Sequence, residues 1–160
     1  MEASASAKLF GKEISSVDIR GDGVGGSVSR RVVLVTDGAW LSRSLLGAFA
    51  WVAIDQNGVC MHSQAKQIRA HSAAMVEILA GVKVLEWASM QGVSEVVIQT
   101  DCLEFVRCAR SPEFAHPLLQ PLLYDFISLC SKFLLVRVIK VCRNVVKKAH
   151  SLAKGALRSY

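Results

Sequence analysis

The chain has little of what would place it in a membrane or outside a cell. Its 160 residues contain no uninterrupted apolar stretch near the roughly 18 residues a membrane span needs, and the richest one is broken by Lys132, Arg137 and Lys140. The opening eight residues carry an acid and no apolar core, so they do not read as a secretory signal. Five cysteines (Cys60, Cys102, Cys108, Cys130 and Cys142) form no C-x-x-C pair. An odd number without metal-ligand spacing argues against both a disulfide scaffold and a zinc module. No internal repeat is visible. Together these absences predict an intracellular chain, nuclear or cytoplasmic, with reduced thiols and no membrane partner.

Acidic residues are missing from 126–160, which carry eight Lys and Arg. The first 125 residues hold eleven Lys and Arg against thirteen Asp and Glu, a net charge of −2. A near-neutral body with a basic C-terminal end suggests a polyanionic partner, the alternative being a solvated helix face. What is plentiful is apolar surface: 52% of residues are hydrophobic and 20% charged. That composition and length fit one domain burying about two-thirds of its unfolded surface.

Residues 1–30 are rich in Ser, Gly and Ala, and the run Gly21-Asp22-Gly23-Val24-Gly25-Gly26-Ser27 reads as a flexible tail or linker. Its glycines precede the first strand instead of following one, which argues against a dinucleotide loop. The β-branched run 32–38 predicts a strand buried on both faces. Runs 46–54 and 59–68 flank Asp55-Gln56-Asn57-Gly58, whose Asn-Gly ending signals a hairpin. Ser72 predicts the N-cap of a helix over 73–91 that Gly92 ends. A second buried strand follows at 96–101, then a short helix over 102–109. After a segment marked by Pro112, Pro117 and Pro121 come a helix reaching Lys132, a strand over 134–141 and a basic helix over 145–157. Three meandering strands followed by strands alternating with helices predict a mixed α/β sheet with helices on both faces.

Two of the strands end alike, in Thr36-Asp37 and Thr100-Asp101. Open α/β sheets gather ligands beyond the carboxyl ends of their strands, at a topological switch point. If the two strands are parallel neighbours, their carboxylates meet and repel unless a cation lies between them. Hard oxygen donors of this kind suit Mg²⁺ or Mn²⁺. Glu77 adds a third: Lys83, Glu86 and Ser89 mark the wet face of its helix, so Glu77 points toward the sheet. Taken alone, Glu77 reads more simply as a core-edge carboxylate bonded to a backbone amide. Three carboxylates facing one point shift the reading toward a metal. No Ser/His/Asp or Cys/His hydrolase pattern is discernible.

These pieces, with Val35-Thr36-Asp37-Gly38-Ala39-Trp40, Gly47-Ala48-Phe49-Ala50-Trp51-Val52, Glu77 with Ala80, Gln99-Thr100-Asp101 and Ala149-His150-Ser151-Leu152-Ala153-Lys154, resemble the ribonuclease H-like domain of plant proteins and non-LTR retroelements. The resemblance runs from about residue 31 to 157, with a domain expected over 31–158. It implies a five-stranded mixed sheet in the order 3-2-1-4-5. It also implies hydrolysis of the RNA strand of an RNA–DNA hybrid through two divalent ions, Mg²⁺ or Mn²⁺, by a monomer. Carried over, Asp37 would bridge both ions, and Glu77 and Asp101 would complete the site. His150 falls where many relatives have Asp and plant members often have His. Gly38, Ala39, Trp40, Lys140, Arg143, Lys147 and Lys148 are the expected contacts to nucleic acid. The chain departs from the pattern at Val146, where Asn is usual, and at Ser72-Ala73-Ala74, which lacks the asparagines that grip hybrid. Lys140 stands near the position of a loop histidine. The rival readings are a non-catalytic nucleic-acid-binding domain on the same fold and an acidic interaction module unrelated to nucleic acid.

Overall fold

The computed structural model describes residues 16–23 and 30–158. Six strands form one sheet: β1 (Ser16–Arg20), β2 (Arg31–Leu41), β3 (Leu46–Ile54), β4 (Cys60–Arg69), β5 (Glu95–Thr100) and β6 (Leu135–Lys140). The helices among the described residues are α1 (Ala73–Ser89), α2 (Leu103–Arg110), α3 (Gln120–Cys130) and α4 (Lys147–Arg158), with a 3-10 turn at Pro112–Phe114. The sheet order is β1-β6-β5-β2-β3-β4. The meander β2-β3-β4 is antiparallel, whereas β5 and β6 add parallel to β2. The expected order 3-2-1-4-5 is therefore present, numbering the strands from β2, with β1 as an additional edge strand.

Alternation along the strands divides the side chains between two layers. Val32, Leu34, Phe49, Trp51, Val96, Ile98, Val136 and Val138 join Ile78, Leu85, Phe105 and Phe126 from α1, α2 and α3 in the main core. On the opposite face Val35 and Val52 meet Val146 and Ala149, which seat α4. The helix signals act as read: Ser72 Oγ accepts from the Met75 amide at 3.2 Å. Among the described residues no helix is long and apolar enough to cross a membrane.

The reading of 1–30 as a tail needs correction at residues 16–23. Strand β1 pairs antiparallel with β6, placing Asp18 opposite Arg137, and the two join in a two-pronged ion pair at 2.7 and 2.9 Å. The pair is exposed and contributes at most about 1 kcal/mol. Apolar contact adds more, since Val17 and Ile19 pack on the main core. Arg110 also donates to the Ser16 carbonyl. Beyond the strand, the amides of Gly21, Asp22 and Gly23 donate to the carbonyls of Leu134, Ser131 and Phe133. Glycine is required here by close approach: a Cβ at Gly21 would run into the Cys130 and Phe133 carbonyls, and one at Gly23 would sit 2.7 Å from the Lys132 oxygen. At Gly21 and Gly23 the glycines thus reflect backbone packed on backbone. Residues 1–15 and 24–29 lie outside the described residues. Gly21→Val should lower stability by about 1–3 kcal/mol, the usual cost of forced overpacking, with a lower midpoint in urea unfolding. Gly155→Val, at a site with open space around it, should cost less than 1 kcal/mol.

Candidate active site

Strand β2 outlasts its parallel neighbour. Its pairing with β5 stops at Val35↔Gln99, while its pairing with β3 continues to Leu41↔Leu46. A notch is left beyond the end of β5, between a parallel and an antiparallel neighbour, which is the switch point of the sheet. Asp37 projects into it from β2 toward the α4 side, in step with Val33 and Val35. Asp101 enters from the residue after β5, where the chain turns as the Cys102 amide donates to Thr100 Oγ1 at 3.1 Å. Glu77 arrives from α1, on the other face of the sheet. It can do so because position 38 has no side chain: a Cβ there would meet Val76 Cγ1 at 2.7 Å and Glu77 Oε1 at 3.2 Å. The Gly38 amide instead donates to Glu77 Oε1 at 3.0 Å.

The result is one cluster, in which an oxygen from each of Asp37, Glu77 and Asp101 lies within 4.8 Å of the others. Asp37 is 2% exposed and Glu77 8%. Burial, followed by the charges of Asp37 and Asp101, pushes the Glu77 carboxyl up to about 9. Burial and the Asp101 charge also raise Asp37, against the pull of its bond to His150. Among the described residues, the buried Oε2 of Glu77 has no hydrogen-bond partner. Three hard oxygen donors and an orphaned carboxylate oxygen fit a divalent cation such as Mg²⁺ or Mn²⁺.

His150, in the first turns of α4, completes the group: its Nδ1 lies 2.6 Å from Asp37 Oδ2. Arg143 Nη2 is 3.4 Å from both ring nitrogens. The other expected contacts divide. Lys147 precedes His150 by one helical turn and shares its side of α4. Lys148 is turned away, with Nζ 3.9 Å from Cys60 Sγ near the start of β4. Lys140 is exposed at the end of β6. Trp40 donates its indole N–H to the Ala70 carbonyl at 2.9 Å and packs on the main core, tying β2 to the turn before α1. Ala39 is half-buried beside it. Two roles were not read from the sequence: Gly38 as amide donor and passage for Glu77, and Arg143 as a neighbour of His150. A glycine directly after the strand aspartate signals the first, and the seven-residue spacing of Arg143 and His150 the second. Cys102, beside the cluster, is held protonated by burial and by the Glu77 charge, its thiol pushed up to about 11.

A family model described as reverse transcriptase-like matches residues 35–156. The chain belongs to that family. Its fold is the ribonuclease H-like fold. The crystal structure of ribonuclease H1 from the halophilic archaeon Halobacterium salinarum superposes with a TM-score of 0.74 at 22% identity, covering 81% of this chain and 99% of that one. The N-terminal ribonuclease H domain of a Mycobacterium tuberculosis protein gives 0.72 at 22% identity, with 81% and 94% covered. A ribonuclease H1 solved with an RNA/DNA hybrid gives 0.71 at 18% identity, with 79% and 96% covered. No curated protein matches the sequence. Strand β1 and its glycine anchor precede the segment that the family model matches.

A raised carboxyl has a definite sign for stability. Between about 4.5 and about 9 the folded protein holds a proton on Glu77 that the unfolded chain has lost. Stability in the presence of a chelator should therefore fall as pH rises through that window. A divalent cation replaces that proton, so millimolar Mg²⁺ or Mn²⁺ should raise the melting temperature more at pH 8 than at pH 5. Differential scanning calorimetry at both pH values, with and without chelator, measures this.

Proposed function

We propose that the domain is a metal-dependent endonuclease of the ribonuclease H type, hydrolysing the RNA strand of RNA–DNA hybrids. The observation that carries this reading is the convergence of Asp37, Glu77 and Asp101 within 4.8 Å, the first two buried, with Glu77 Oε2 unpartnered among the described residues. A cluster that repels itself is costly to a module that only binds. Asp37 and Asp101 would hold the cation, Mg²⁺ or Mn²⁺, in the open notch, with Glu77 reaching it from below. Two such ions would share Asp37. Divalent ions supply a lowered pKa for the attacking water and charge stabilisation for the scissile phosphate. His150, less buried than Asp37 and bonded to it, stands where a proton can pass between the site and solvent. Lys140 and Lys147 offer cations to the phosphates that flank the cleft. Reading hybrid against duplex DNA would rest on 2′-hydroxyl contacts to one strand.

Asp37→Asn should abolish hydrolysis of a labelled RNA–DNA hybrid. A direct ligand ought to cost more than the roughly 10–100-fold typical of groups behind the ligands. The same change removes a negative charge from the cluster, so the melting temperature at pH 8 should hold or rise. Cleavage at the parental rate would sink the metal-dependent reading.

The two adjacent lysines of α4 should separate in binding experiments. Lys147→Ala should weaken hybrid binding and lower the slope of log affinity against log salt by about one unit, as expected for one phosphate contact. Lys148→Ala, whose ammonium faces Cys60, should leave the slope as it is. Fluorescence anisotropy over a salt series reads both.

A further inference from the structure

His150 is held by fewer constraints than the carboxylates it joins. Its neighbours at hydrogen-bond distance, among the described residues, are Asp37 and Arg143. The bond from Nδ1 to Asp37 fixes where one atom points. It leaves the ring free to turn about that contact, and the terminal torsion of histidine is intrinsically broad. Something else must set the plane of the imidazole.

The geometry of Arg143 supplies it. Its Nη2 is 3.4 Å from Nδ1 and 3.4 Å from Nε2. A point equidistant from the two nitrogens lies either in the ring plane, pressed against the C–H between them, or over the ring face. The in-plane direction of Nδ1 is already filled by Asp37 Oδ2 at 2.6 Å. Nη2 therefore approaches from above the ring, with an N–H directed down toward the two ring nitrogens. A cationic N–H set over the face of an aromatic ring is a favourable contact, and Arg delivers it from a rigid planar fork that Lys lacks.

We propose that Arg143 is a positioning residue: an N–H of its guanidinium caps one face of the His150 imidazole and fixes the ring so that Nδ1 meets Asp37 while Nε2 is directed away from it. The assignment replaces the expectation that Arg143 is a phosphate contact like its basic neighbours, and its catalytic consequence rests on the nuclease reading above. Charge and position predict opposite effects of its loss on metal affinity. Removing a cation beside a metal site strengthens binding by simple electrostatics. Releasing the imidazole weakens it, by roughly 10-fold or more where such support is lost.

The test uses the full chain with Arg143→Ala and Arg143→Lys. Arg143 is exposed, so both variants should keep the parental melting temperature. In the protein kept free of metal by chelator, the His150 side-chain resonances, assigned by their absence from a His150→Gln variant, should be sharp in the parent. They should be exchange-broadened in both variants. Mn²⁺ affinity by calorimetry should fall about 10-fold in both, Lys failing to rescue. On a hybrid substrate, kcat should drop by a similar factor with KM within two-fold of the parent. Unchanged His150 resonances would overturn the proposal, as would Mn²⁺ binding that tightens in Arg143→Ala and is restored by Lys. If the parent cleaves no hybrid, the nuclease reading fails, but the resonance and Mn²⁺ arms still decide the role of Arg143.

Discussion

Electrostatic repulsion among three carboxylates, two of them buried, is the constraint around which the domain is arranged. Like charges within 4.8 Å of one another are tolerated only with a proton or a cation among them. Among the described residues no lysine or arginine is inserted into the cluster to relieve this. The protein brings one backbone amide, from Gly38, to Glu77 and one imidazole, from His150, to Asp37. Both are partial remedies, and they leave Glu77 Oε2 with nothing to bind. The remaining deficit is what a divalent cation would fill.

Holding such a cluster requires a frame that does not yield. Asp37 sits on a central strand bonded on both sides below it, and Asp101 follows the strand that adds parallel to it. The third carboxylate comes from the opposite layer, so α1 must press close against β2. Gly38 and Gly47 allow this, for in each case an added Cβ would come within 2.7 Å of a Val76 methyl. Val76 is therefore the contact that sets the spacing between layers, and Glu77 next to it inherits a fixed reach. Site geometry and core packing are one problem here, solved by neighbouring residues of the same helix.

Much of this was legible in the chain. β2 and β5 declare themselves as β-branched runs carrying Thr36-Asp37 and Thr100-Asp101, so their pairing and the meeting of their aspartates followed from topology; that β2 runs on past Asp37 to Leu41 was not read, because that extension is held by β3 alone. Glu77 was legible from its position opposite Lys83, Glu86 and Ser89. His150 was not readable from periodicity, since a histidine early in a basic helix has many ordinary explanations; only resemblance to relatives pointed to it. The direction of Lys148 depended on how α4 lies across β3 and β4, which no local pattern encodes. Strand β1 was missed because it is short, flanked by small residues, and stabilised by a partner on the far side of the sequence. Composition describes Gly21 and Gly23 as pliable, whereas their function is to let two stretches of backbone touch.

That distant partnership bears on how the chain is made. Asp18 and Arg137 are separated by 119 residues. During synthesis at about 5–20 residues per second, β1 emerges first and then waits several seconds or more for the strand it must pair with. The β2-β3-β4 hairpins and α1 can form in that interval from near neighbours, while β1 has no local partner to hold it. Closure of this long loop is entropically late. The strand of this sheet that is synthesised earliest among the described residues is thus expected to be the last to join it, and β6 remains an open edge until it arrives.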